Sequence, residues 1–314
     1  MRVVWIFLLG FFSQSVNAQT FPARPIEIVN AFAPGGANDL NVRALQIAAE
    51  KALGVPLVQT FRQGGGGIVG TTEVANAPPD GYKLLVATSG ELTAAPNLVK
   101  TSYSLDSFTF LARISSKPYA LVVKNDAPWK TINELLQATR QPGARNTIGT
   151  TPAGGMFLTA QYLIRRGGVT LTTVPFGGAG PALTAVLGGH IDSVWAPLAA
   201  ADGQIKSGGL RALAMSGPER VRGHEQVPTF REFGIDSPHV QWTGLVAPKG
   251  LPADRLAVLN GAVSRMLKDP AYLQTAERFG IDVSYAQAEE FEKQVRSEND
   301  VFRALVRDFD LMPK

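Results

Sequence analysis

The chain has 314 residues, no cysteine, three histidines and a formal net charge of +4. The absence of cysteine excludes disulfides, thiolate metal sites, thiol nucleophiles and a lipoprotein anchor. So small a positive balance, without a dense basic run, gives nucleic acid no footprint, and His190, His224 and His239 stand at no metal-motif spacing from one another.

The first eighteen residues read as an export leader. Arg2 supplies the positive start, Val3 to Phe12 is apolar, and Val16-Asn17-Ala18 offers small residues for cleavage after Ala18. That run is too short to span the ~30 Å of a bilayer core as a mature helix. The chain beyond Ala18 is large for one core and suits two lobes of roughly 100 to 150 residues each.

Strand and helix patterns alternate from the start of the mature chain. Ile26 to Phe32 is β-rich, and Asn38-Asp39 opens a helix carrying Leu45, Ala48 and Ala52 before Gly54 stops it. Pro56 to Phe61 is a strand, Ile68 to Asn76 a short helix and Lys83 to Thr88 a third strand. This βαβ alternation predicts a mainly parallel sheet.

After Tyr119 to Lys124 the pattern restarts. Thr131 and Glu134 have capping-box spacing, and strands over Thr147–Thr150, Leu171–Pro175, Ile191–Trp195 and Arg211–Met215 alternate with helices over Gly155–Arg165 and Pro181–Leu187. Val240 to Ala247 is strand-like, and the rest reads as largely helical with no sheet of its own. Leu256, Leu259, Val263 and Leu267 form one apolar stripe; Phe291, Val295, Phe302, Leu305 and Phe309 form another. The expected fold is α/β with two doubly wound lobes and a ligand cleft between them. The first comprises residues 19–122 and 243–314, the second residues 123–242, and the late helices cover the first.

In such sheets ligands bind beyond the carboxyl ends of the strands, and here those loops are bare. Ala33, Pro34, Gly35, Gly36 and Asp39 follow the first strand and Thr88, Ser89 and Gly90 the third; Thr150, Thr151 and Gly154, then Pro175 and Phe176, occupy matching places in the second lobe. Glycine admits a ligand close to the backbone, and each following helix points its N–H groups and positive dipole end at the cleft. Such loops hold an anion without lysine or arginine. Asp39 reads either as a helix cap or as a ligand contact, and Phe176 and Trp195 as cleft walls or as core. Gly65 to Gly70 also fits the dinucleotide pattern G-x-G-x-x-G, with Glu91 about twenty residues on. Ser89 has no nucleophile elbow around it.

These residues resemble a known family, the tripartite tricarboxylate transporter receptors or Bug proteins. The carriers are Phe21-Pro22-Ala23-Arg24-Pro25-Ile26, Ala33-Pro34-Gly35-Gly36-x-x-Asp39, Pro79-Asp80-Gly81-Tyr82, Val174-Pro175-Phe176-x-Gly178 leading to Pro181-Ala182-Leu183, Gly188-Gly189-His190-Ile191-Asp192, Leu210-Arg211-Ala212-Leu213-Ala214, Val227-Pro228-Thr229 and Gly244-Leu245-Val246-Ala247-Pro248. The resemblance implies a periplasmic binding protein of type II. It implies a monomeric receptor, with no cofactor and no metal, that closes on a small carboxylate and serves membrane subunits of the TctA/TctB type. Ligand contacts are expected on the four loops named above and at Trp195. Phe61-Arg62-Gln63-Gly64-Gly65-Gly66-Gly67 and the lysine-free Phe176-Gly177-Gly178 depart from the family pattern, as does Val194-Trp195-Ala196, where an indole replaces a carboxylate; a less polar or aromatic acid is the ligand these changes suggest. The competing expectations are a sensory receptor that presents a carboxylate to a two-component kinase, and an exported dinucleotide-dependent enzyme.

Overall fold

The computed structural model describes residues 21–311, apart from Ala33, residues 152–154, Pro218, Arg222 and residues 236–239. The leader and the cleavage point at Ala18 lie outside the described residues.

The first repeat runs β1 (Ile26–Asn30), α1 (Ala37–Leu53), β2 (Leu57–Phe61), α2 (Ile68–Ala75) and β3 (Lys83–Thr88). β1 lies between β2 and β3, and all three are parallel. β3 is buried from Leu84 onward, which is why its sequence is an unbroken apolar run instead of an alternation. A π-helical turn, Gly90–Ala94, leads into the short α3 (Ala95–Leu98) and on to β4 (Phe108–Lys124).

The second repeat comprises α4 (Ile132–Thr139), β5 (Thr147–Thr150), α5 (Gly155–Gly167), β6 (Thr172–Pro175), α6 (Ala179–Leu187), β7 (Ser193–Pro197), α7 (Leu198–Lys206) and β8 (Leu210–Met215). The Thr131–Glu134 capping box opens α4 as the spacing predicts. β5 pairs in parallel with both β6 and β7. The chain then returns through β9 (Val240–Pro248) to α8 (Ala253–Met266), α9 (Pro270–Arg278), β10 (Val283–Gln287) and α10 (Ala288–Asp308).

One strand joins the two sheets. Over Phe108 to Pro118, β4 pairs antiparallel with β9; from Tyr119 onward its partners are β7 and β8. The switch falls at Pro118-Tyr119, where proline's missing N–H removes a ladder bond at the point of changeover. The strand order is therefore β2-β1-β3-β9-β4-β7-β5-β6, a two-lobed α/β fold of the kind the sequence predicts. Each lobe has its own apolar core. Trp195, Phe230, Val122 and Ile148 belong to that of the second, while Leu45, Val86 and Tyr272, with Phe110, Trp242 and Phe291 across the sheet, belong to the first.

The C-terminal segment is largely helical, as expected, and adds two features to covering the first lobe. β10 adds a short strand to β4. Phe291 in the first half of α10 packs edge-on against Phe110 and Trp242, while Phe302, Leu305 and Val306 in its second half join Leu158 of α5. The stripe Phe291 to Phe309 winds round the helix far enough to touch both lobes.

Gly244 shows how tightly α10 is seated. An added Cβ there would overlap the Phe291 ring and lie 2.9 Å from the Ala112 carbonyl oxygen on the neighbouring strand. We expect Gly244→Ala to destabilise the protein by about 2 to 3 kcal/mol through overpacking, read as a lower urea midpoint at unchanged slope.

Candidate ligand-binding cleft

Strand register decides where the bare loops go. The tip of β3, Thr88, pairs with Thr243 of β9, and Thr243 pairs with Ser115 of β4. On the other side, the tip of β7 at Pro197 pairs with Tyr119 of β4. Ser115 and Tyr119 are four residues apart, roughly 13 Å of strand. The β1–β3 set and the β5–β7 set thus point their carboxyl ends at one belt of β4 from opposite sides, and a cleft between the lobes is the geometric result.

The Pro34–Asp39 loop enters the cleft after β1, with Ala33 outside the described residues. Gly35 has φ +84, a conformation that favours glycine, whereas Gly36 has φ −82 and ψ 175, open to any residue. Asp39 is fully buried; one carboxylate oxygen accepts the Gly35 N–H at 2.7 Å and the other accepts Arg43 Nε at 2.8 Å. It is the third residue of α1, reaching back to pin its own loop, and both oxygens are taken. This differs from the cap expectation: Gly36 occupies the cap position, and no side chain caps α1. The leading N–H groups of that helix are left for water or a ligand.

After β3, Thr88 and Ser89 are buried and Gly90 is half-buried. The carboxylate of Glu91, fully buried, accepts Thr88 N–H at 2.6 Å and Thr88 Oγ1–H at 2.5 Å. Burial outweighs these bonds and raises its pKa to about 7. Tyr103 donates its phenol to the Glu91 carbonyl. Tyr119, on the belt itself, is held well above the usual phenol range by burial, with the charges of Glu298 and Glu91 adding to it and Ser89 opposing. Sequence reading missed Tyr119 and gave Glu91 a different role. The available signal for Glu91 was a carboxylate three residues beyond a strand-ending threonine, the spacing of a local side-chain-to-backbone bond.

In the second lobe, Phe176 N–H donates to the Thr150 carbonyl at 2.8 Å, stapling the loops after β5 and β6 together. Thr150 is buried, Thr151 and Phe176 are half-buried and Pro175 is exposed; Gly154 lies outside the described residues. No side chain caps α6 at Gly178. A Cβ at Gly35, Gly177, Gly178 or Gly180 would meet nothing within 4 Å, so packing does not demand these glycines. Trp195 is fully buried, stacked on Tyr119 and tilted against Phe230. It is buried like the rest of β7, beside Tyr119 of the belt.

The Gly64–Gly70 stretch gives the opposite result. A Cβ on Gly67 would lie 3.0 Å from both Glu91 and Phe32, and one on Gly70 would lie 2.8 Å from the Arg62 carbonyl. The protein's own atoms fill the place a dinucleotide pyrophosphate requires, so these glycines serve packing and tight backbone turns.

The sequence matches the model of the tripartite tricarboxylate transporter family receptor over residues 41–311. Protein BugT of Bordetella pertussis is 30% identical over 287 residues, covering 87% of this chain and 86% of its own. Among solved structures, the periplasmic binding protein BugD superposes with a TM-score of 0.82 at 28% identity, covering 94% of this chain and 100% of that one. MatC from Rhodopseudomonas palustris, with bound malate, superposes at 0.79 with 30% identity over 91% of this chain and 100% of that one.

The buried Glu91 carboxyl gives a signed pH dependence. Its folded-state pKa, about 7, lies above the ordinary glutamate value of 4.5, so the fold favours the protonated form. That contribution is fully present below about pH 4.5 and is lost as pH rises through about 7, on the order of 3 kcal/mol in all. Urea unfolding across this window should show stability falling with pH by that order in the wild type and a flatter profile in Glu91→Gln.

Proposed function

The chain belongs to the tripartite tricarboxylate transporter receptor family, and on that premise we propose that it captures a small carboxylate between its two lobes for uptake through membrane subunits of the TctA/TctB type. Receptors of this family are periplasmic solute-binding proteins and not enzymes. In this reading residues 1–18 direct export and are cleaved after Ala18, and the mature protein works as a monomer. The jaws are residues 19–122 with 243–314, and residues 123–242.

What supports the proposal is that α1 and α6, which follow strands of the two sets that point their carboxyl ends at β4, both start without a side-chain cap and beside glycines that packing leaves open. Such a place suits a carboxylate, which supplies the oxygens those N–H groups lack. The bound malate in the MatC relative points to the same ligand class.

Magnitudes decide how the ligand is held. A helix dipole contributes about 0.3 to 1 kcal/mol, while micromolar affinity needs about 8 kcal/mol. Direct bonds from the α1 and α6 backbone, with the hydroxyls of Thr88, Ser89, Thr150 and Thr151, supply the larger share, completed when the lobes close. Phe176, half-buried at the β6 tip, and the buried Trp195 behind Tyr119 are the aromatic candidates for a cleft wall.

Differential scanning fluorimetry against citrate, malate, benzoate and glutamate tests the reading. At a hundred times Kd one acid should add about 2.7 kcal/mol, a rise in Tm of several degrees; no shift with any acid, alongside a shift with a dinucleotide, contradicts it. Gly36→Val tests the site itself, since its backbone conformation accepts valine without strain. The variant should keep the wild-type Tm and lose affinity for the acid at least about tenfold, whereas unchanged affinity would remove this loop from the site.

A further inference from the structure

Asp39 and Glu91 are the acids whose side chains are completely shut off from solvent among the described residues. Asp39 has Arg43 at 2.8 Å. Glu91 has no such partner: among the described residues no lysine, arginine or histidine bonds or pairs with it.

The groups around Glu91 are acidic, phenolic or already committed. Tyr103 and Tyr119 both feel its charge. On α10, Glu298 accepts Trp242 Nε1 and the Thr93 hydroxyl. On α2, Glu73 is paired with Arg62 and Lys83. On α5, Arg165 and Arg166 lie over the Phe309 ring. The glycine turn at Gly67 and the ring of Phe32 close the remaining side with no charge at all.

This lone carboxylate holds two donors of the loop that faces the ligand, the N–H and hydroxyl of Thr88. When ionised, it is an internal anion occupying donors that an incoming carboxylate also seeks. A second negative charge brought to the same water-poor loop is opposed, and a proton on Glu91 relieves the conflict.

We propose that capture of an acid at the Thr88–Gly90 loop is coupled to protonation of Glu91, so that the receptor takes up a proton from solvent as it binds and holds acids more tightly on the acidic side of neutrality. Glu91 is then a positioning residue, setting affinity through Thr88 without touching the ligand. Linkage is reciprocal: the bound acid raises the proton affinity of Glu91 by the factor by which the proton raises acid affinity. The inference rests on the carboxylate reading of the cleft and adds to it a proton and a residue.

Isothermal titration calorimetry of the protein with benzoate and glutamate, whose carboxyl groups stay ionised between about pH 6 and about pH 8.5, tests it. Run in phosphate and in Tris, whose ionisation heats differ, the titrations should show proton uptake. Kd should weaken at least about fivefold from the acidic to the alkaline end. In Glu91→Gln the uptake and the pH dependence should both vanish. Equal heats in the two buffers with a flat Kd overturn the inference and leave the receptor reading standing, and uptake that persists in Glu91→Gln overturns it in favour of a histidine. If no probe binds at any pH, both readings fall. The wild-type comparison decides the point even if the variant does not fold.

Discussion

The structure depends on one continuous strand. β4 serves two sheets in succession, and because its register is fixed on both sides, Thr88, through Thr243 of β9, and Pro197 come level with β4 residues only four apart. Had the sheets been joined by flexible linkers, the loops at their strand tips would face one another only by chance. A shared strand instead makes the cleft a consequence of hydrogen bonding. At Pro118, where β4 changes partners, the ladder with β9 thins.

The loops around this strand divide into two kinds. At Gly64, Gly67, Gly70 and Gly149 the missing side chain is demanded by neighbouring atoms, as with Ile191 Cδ1, which would lie 2.7 Å from a Cβ on Gly149. At Gly177, Gly178 and Gly180 no atom of the protein makes the demand, and at Gly35 the demand comes from its positive φ and not from packing. The internal carboxylates follow a similar division. Asp39 is neutralised by Arg43 and tightens its loop, whereas Glu91 stays uncompensated, which ties the chemistry of the loop after β3 to pH.

Much of this was legible in the sequence. The apolar run Lys83–Thr88, the capping box at Thr131 and the bare turns after each strand carry local signals that survive folding. The first half of β4 was not legible, because Arg113, Ser115, Ser116, Lys117 and Pro118 do not read as a strand. Its pairing with β9, and the bonds of Arg113 to Ser284 and Gln294, hold it there, and those partners are more than a hundred residues away. Trp195 was ambiguous for a related reason: a strand buried along its whole length offers no alternation to say which side chains face solvent. Asp39 was recognised as belonging to a helix start, but the bond back to Gly35 depends on a loop conformation that residue spacing does not specify.

The central claim is that the ligand is enclosed between two lobes hinged on β4. Because the chain has no cysteine, spin labels can be placed uniquely at exposed Lys268 in the first lobe and exposed Gln141 in the second. Pulsed electron–electron resonance of the Lys268→Cys, Gln141→Cys protein, with and without the acid that shifts melting most, measures the separation directly. The account predicts a shorter and narrower distance distribution with the acid bound; an unchanged distribution under saturating acid would contradict it.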